Sequence, residues 1–109
     1  MQSYKHNFIK NAYECGALQF GEFKLNSGRK SPFFFNTGKF SDGKTLNAIA
    51  NAYVDTILNS KIDFDMIFGP AYKGIPLATS ISQSLYQRKE LIIPFAFNRK
   101  ERKMFKNLD

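Results

Sequence analysis

Cysteine is nearly absent. Cys15 is the only one, so no disulfide can form within the chain. Histidine is equally scarce. His6 stands alone and reads as a solvated helix residue, and no Cys/His cluster exists to hold a metal. The same scarcity leaves no Ser/His/Asp or Cys/His set for nucleophilic catalysis. No run approaches the roughly 18 apolar residues that a membrane span needs. The first residues, MQSYKHNF, lack the apolar centre of a signal peptide. A soluble cytoplasmic protein with no membrane partner is the expectation. Acidic residues are outnumbered, 9 against 16 Lys and Arg, and the net charge of +7 implies a polyanionic partner. Nucleic acid and a phosphorylated small molecule are the two candidates.

What is present is enough for one domain with a modest core. The chain has 109 residues, 43% of them hydrophobic, which excludes a disordered chain. Its organising stretch is 63–78, DFDMIFGPAYKGIPLA. The short apolar run 66–68 suits a strand buried on both faces of a parallel sheet. It stops at Gly69-Pro70. Gly74 follows, and Pro76 falls where the first turn of a helix tolerates proline. Strand, tight glycine loop and helix in that order aim backbone N–H groups and a helix dipole at an anion above the strand end. Lys73 adds a full charge inside the loop. An ordinary βα connection with a surface lysine is the plain alternative. Gly69 and Gly74 have P-loop spacing, but Ile75 and Pro76 stand where Lys and Ser/Thr would be needed, which argues against a Walker-type site.

Taken in order, residues 2–14 read as a helix, with Tyr4, Phe8 and Ala12 four apart and Gly16 as the stop. Leu18 and Phe20 alternate, Gly21 interrupts, and Phe23 and Leu25 resume on a shifted register. That pattern predicts a bulged strand. Asn26-Ser27-Gly28-Arg29 is a turn signal, so 17–35 reads as a hairpin. Its second strand ends in three consecutive phenylalanines, 33–35. The common fate of such residues is the core. The functional alternative is an apolar wall for a flat ligand. Ser41 or Asp42 caps a helix that runs to about Leu58. A helix over 76–87 and a strand over 91–97, with Pro94 at an edge or strand end, complete one βαβ unit. Basic residues cluster at Lys24, Arg29 and Lys30, and again at Arg99, Lys100, Arg102, Lys103 and Lys106. Two short clusters at loop positions suit one phosphate-rich ligand better than a continuous basic stripe.

Three segments together resemble the orotate phosphoribosyltransferase family: FGEFKLNSGRKSPFFFNTG (20–38), FDMIFGPAYKGIPLA (64–78) and PFAFNRKERK (94–103). The resemblance spans nearly the whole chain and points toward the bacterial homodimeric members. It implies an α/β fold: a type I phosphoribosyltransferase-like parallel sheet with flanking helices. An N-terminal helix plus β-hairpin hood would occupy 1–40, and the first half of the core 41–109. The implied reaction moves the ribose 5-phosphate group of phosphoribosyl pyrophosphate (PRPP) to orotate, with Mg²⁺ bound alongside PRPP. Orotidine 5'-monophosphate and pyrophosphate are the products. The implied partners are orotate, PRPP and a second copy of the chain, with no nucleic acid. By the same resemblance Phe34 and Phe35 lie along orotate. Tyr72 and Lys73 belong to the loop holding the pyrophosphate, which carries an unusual backbone with a cis peptide at Ala71-Tyr72. Arg99, Lys100 and Lys103 begin a basic loop that closes over the substrates. Lys73 and Lys103 are the implied catalytic cations.

Two departures accompany the resemblance. Asn26 stands where the family has a lysine, with Lys24 near enough to substitute in part. After Lys103 the chain reads MFKNLD, with Phe105 at a family histidine position and no PRPP fingerprint. The sequence therefore implies a single truncated domain, inactive alone and prone to aggregate. A basic nucleic-acid-binding module, or a non-catalytic interaction fragment, is the alternative. Steep salt dependence of nucleic-acid binding would distinguish the module.

Overall fold

The computed structural model describes residues 3–100. Its contacts divide the chain into two compact units, Met1–Lys61 and Ile62–Asp109. The division falls after the second long helix, whereas the sequence places the hood's end at residue 40. That helix packs on the first one, which draws it into the first unit.

The first unit opens with α1, Ser3–Glu14, followed by the strands β1, Leu18–Lys24, and β2, Lys30–Phe35. The strands pair antiparallel, with Leu18 opposite Phe35 and Lys24 opposite Lys30. The register shifts between Phe20 and Phe23, as the alternation around Gly21 predicts. Gly21 adopts φ of +153°, a conformation that side-chain-bearing residues rarely take. The turn between the strands is closed by Gly28 N–H donating to the Leu25 carbonyl at 2.8 Å. A short 3₁₀ turn, Thr37–Lys39, leads into α2, Gly43–Ser60. Ala12, Ile49, Ala50 and Val54 form the buried contact of this unit, joined by Ala17. The rings of Phe8, Phe35 and Phe40 cluster beside it, with centroids 6.0–6.3 Å apart. The three phenylalanines 33–35 are not core, however. Each is more than a third exposed, because a two-stranded hairpin has too little covering layer to bury successive side chains on both faces.

Asp42 caps α2 through a reciprocal capping box: its Oδ1 accepts from Thr45 N–H at 2.8 Å, and Thr45 Oγ1 accepts from Asp42 N–H at 3.3 Å. The Thr45 N–H, then the Thr45 hydroxyl, hold the Asp42 carboxyl below its ordinary value of 3.8, and Lys44 adds to the effect. A carboxylate with a lowered folded value contributes stability above its unfolded value, and loses that contribution as pH falls through the folded one. Asp42→Ala is therefore expected to lower the thermal midpoint near neutral pH. The gap to the unsubstituted chain should close well below pH 3.8. A gap that persists in acid would show that the charge is not what caps the helix.

The second unit is a single parallel βαβ: β3, Ile67–Gly69; α3, Gly74–Lys89; and β4, Phe95–Phe97. Ile67 pairs with Phe95, Phe68 with Ala96 and Gly69 with Phe97. Ala78, Ile81, Ser84 and Leu85 of α3 are buried. Ser82 Oγ donates to the Ile93 carbonyl at 2.6 Å and ties the helix to the segment entering β4. Pro76 lies in the first turn of α3, as expected, though the helix starts two residues earlier, at Gly74.

Two expectations need correction. The second strand does not span 91–97. Pro94 has no N–H to offer the ladder, so pairing begins at Phe95, and Pro94 contributes only its carbonyl, to Ile67 N–H at 3.0 Å. The apolar run 66–68 is also not buried on both faces. Met66 is 53% and Phe68 54% exposed. A Cβ on Gly69 would point at Ala78, so that position faces α3, and by strand alternation Phe68 faces the other way. Among the described residues of this unit nothing layers that second face, and β4 is the one strand beside β3.

Candidate functional site

The chain between β3 and α3 is folded back more tightly than any residue but glycine allows. A Cβ on Gly69 would collide with the Gly74 carbonyl oxygen and come within 2.8 Å of the Ala78 Cβ. A Cβ on Gly74 would meet the Pro70 ring at 2.6 Å. These two glycines let the helix start directly against the strand end. Gly74 N–H donates to the Pro70 carbonyl at 3.0 Å, and Ile75 N–H to the Tyr72 carbonyl at 3.2 Å. The Ala71-Tyr72 peptide is cis, as the resemblance implies. Ala71 N–H donates across 27 positions of sequence to Asn98 Oδ1, at 2.8 Å.

Those bonds leave two adjacent donors. The N–H groups of Tyr72 and Lys73 have no partner among the described residues. Lys73 is also the N-cap residue of α3, and its side chain makes no capping bond. The first turn of α3 carries no acidic residue, so the positive end of the helix is not neutralised from within. Both the Tyr72 and Lys73 side chains are exposed. Because β4 runs parallel to β3 and in register with it, Asn98, Arg99 and Lys100 leave the sheet at the same end as this loop. Backbone donors, a helix N-terminus and three cations thus gather at the C-terminal ends of two parallel strands, an arrangement suited to a phosphate or diphosphate group.

In the first unit, Phe34 and Phe35 are 40% and 38% exposed. As successive strand residues they face opposite ways, so only one ring can flank a given flat ligand from β2. Phe34 lies against Phe23 at 5.8 Å, and Phe35 against Phe8 and Phe40. Asn26 is exposed in the hairpin turn, flanked by the paired Lys24 and Lys30. Lys103 and Phe105 lie outside the described residues. Asn98 was not singled out by sequence reasoning. Its one signal is its place, a polar residue directly after the apolar run 95–97.

The described residues contain no group of three or more His, Cys, Asp or Glu side chains able to ligate a metal. The loop's own groups, N–H donors and ammonium, do not fit a protein-held cation. No helix among the described residues is long and apolar enough to cross a membrane.

A parallel βαβ unit with a cationic glycine loop above its strand ends, preceded by a helix and a β-hairpin, defines an α/β protein of type I phosphoribosyltransferase-like fold. No family model matches the chain. In particular, the chain is similar to orotate phosphoribosyltransferases over nearly its whole length. It is 48% identical over 101 residues to that of Halorhodospira halophila, covering 93% of this chain and 47% of the relative. It is 50% identical over 103 residues to that of Pseudomonas aeruginosa, covering 94% and 48%. The solved orotate phosphoribosyltransferase of Francisella tularensis superposes with a TM-score of 0.80 at 47% identity, over 85% of this chain and 46% of that one. The Aeropyrum pernix enzyme, at 20% identity and a TM-score of 0.61, shares the fold. The chain spans about half the length of the curated relatives it matches.

Proposed function

We propose that this chain provides the diphosphate-holding loop and part of the orotate-binding wall of an orotate phosphoribosyltransferase. One observation carries the reading: at the end of a parallel strand pair, the loop between β3 and α3 presents two adjacent N–H groups and a lysine that have no partner among the described residues. The reaction separates an electron-poor ribosyl centre from a pyrophosphate that gains charge as it leaves. Donors held in place before reaction stabilise that developing charge more than the ground state. Tyr72 and Lys73 N–H hold the diphosphate, the Lys73 ammonium answers its growing charge, and Arg99 and Lys100 screen it from the neighbouring strand end. Lys103 completes the cation set on the strength of the resemblance. Phe34 or Phe35 supplies an apolar surface for the orotate ring, and Asn26 replaces a cationic contact with a neutral one. Mg²⁺ would bind together with PRPP and offset the charge of its phosphate oxygens. A cytoplasmic homodimer is the setting this reading favours.

The test is orotidine 5'-monophosphate formation from orotate and PRPP with Mg²⁺. Residues 1–109 alone are expected to give no turnover, because reacting geometry, worth about 7–11 kcal/mol when achieved, requires PRPP to be held at both ends. Supplying the remaining half of the Pseudomonas aeruginosa relative, in trans or by fusion, is expected to give turnover. Turnover by the chain alone would remove the need for a second half. An inactive fusion that binds nucleic acid with a steep salt dependence would replace the enzyme reading by that of a binding module.

A further inference from the structure

We infer that Asn98 is a positioning residue for the diphosphate loop: its side-chain carbonyl holds Ala71 N–H, so that the next two N–H groups, of Tyr72 and Lys73, face the anion. The inference rests on the functional reading above for the identity of the anion, but not for the tie itself.

The tie is seen directly. Asn98 Oδ1 accepts from Ala71 N–H at 2.8 Å, across 27 positions of sequence. The other bonds of the loop, Gly74 to Pro70 and Ile75 to Tyr72, are local and close the turn on itself. They do not fix the loop relative to the neighbouring strand. Asn98 does, because it follows Phe97, the residue that pairs with Gly69 at the end of β3. The side-chain bond therefore continues the strand pairing one step past the ladder, at a point where the β3 chain has turned away into the loop. An N–H claimed in this way is also withdrawn from competition. Without Asn98, Ala71 N–H would be a third free donor, and the loop could rotate to present it in place of Tyr72 or Lys73. A side-chain amide suits the task, since its carbonyl accepts without adding negative charge beside a site built for anions. Arg99 and Lys100 follow at once, so the same residue anchors the start of the second cationic segment.

The test compares the 109-residue chain with Asn98→Ala and Asn98→Asp, by amide hydrogen exchange and by titration with inorganic pyrophosphate and with orotate. In Asn98→Ala, exchange at Ala71 is expected to rise and pyrophosphate affinity to fall by about 2- to 12-fold, the net worth of one such hydrogen bond, with orotate affinity unchanged. Asn98→Asp retains an acceptor, so it should restore the protection of Ala71, while its charge keeps pyrophosphate affinity low. The amide of Leu85, buried in α3, reports on the fold as a whole. If its exchange rises too in Asn98→Ala, the Asp variant decides the matter. Unchanged exchange at Ala71, or faster exchange with unchanged pyrophosphate affinity, would overturn the inference. A parallel loss of orotate affinity would likewise assign Asn98 a general structural role. No pyrophosphate binding by the unsubstituted chain would overturn the functional reading and the ligand half of this one, while Ala71 exchange would still judge the tie.

Discussion

Lys73→Ala, made in this chain fused to the remaining half of its Pseudomonas aeruginosa relative, is expected to lower turnover by roughly 10²–10³-fold, the loss seen when a preorganised donor to a developing charge is removed. Orotate affinity should hardly change. The asymmetry follows from where the charge sits. Lys73 occupies the N-cap position of α3, and its side chain has no partner among the described residues, so its ammonium is not already spent on an acidic neighbour. On the proposed function, the pyrophosphate it would face becomes more negative as the bond to ribose breaks, whereas orotate's charge is not created in that step. An interaction that strengthens only on the way to the transition state is lost from turnover and not from binding. Lys103→Ala should act in the same direction. Steady-state kinetics beside equilibrium orotate titration measures both quantities. Matched losses in the two would mean that Lys73 serves to hold orotate and not to meet the leaving group.

Gly69→Ala should be the most damaging single-methyl change in the second unit. The added Cβ would overlap the Gly74 carbonyl oxygen and crowd the Ala78 Cβ at 2.8 Å. Neither is the loose end of a flexible side chain. Relief requires the start of α3 to move away from β3, and that movement breaks the contact through which the helix packs. Overpacking of this kind costs about 1–3 kcal/mol, and backbone crowding places this case at the upper end. Gly74→Ala should follow, since its Cβ would meet the Pro70 ring at 2.6 Å. Gly43→Ala is the control: nothing lies within 4 Å of that Cβ, and its effect should stay within about 0.5 kcal/mol. Urea unfolding followed by circular dichroism compares the three. A Gly69→Ala midpoint equal to that of Gly43→Ala would mean that the close approach of strand and helix is not needed.

The candidate site was legible wherever one residue type has one physical use. Gly69, Gly74 and Pro76 mark a strand-to-helix turn because few other residues fit there, and Lys73 between them is an unmistakable charge. Gly21 marks its bulge for the same reason. The phenylalanines 33–35 were harder, since the same residue serves a core or a ligand wall. Which it does depends on how many layers surround the hairpin, and that is not written locally. Pro94 was placed correctly near a strand end, yet the strand proved shorter because Pro94 has no N–H to offer the ladder, so pairing begins at Phe95. The neighbours of Asn98 mark only a polar residue after an apolar run and do not reveal its use. Its importance comes from Ala71, which lies 27 positions away and reaches it only through the parallel pairing of β3 and β4.

By itself the sequence determined the order of elements, the bulged hairpin, the capped helix after Asp42 and the glycine loop with its lysine. Each follows from periodicity, capping chemistry or the backbone freedom of a few residues, and those are properties of neighbours along the chain. Tertiary structure alone decided which face of β3 is covered, which donors of the loop have no partner among the described residues and which residue fixes the loop to the next strand. Those are matters of distance between segments far apart in sequence. Burial and hydrogen-bond satisfaction depend on what stands opposite a group, and only the folded arrangement supplies that.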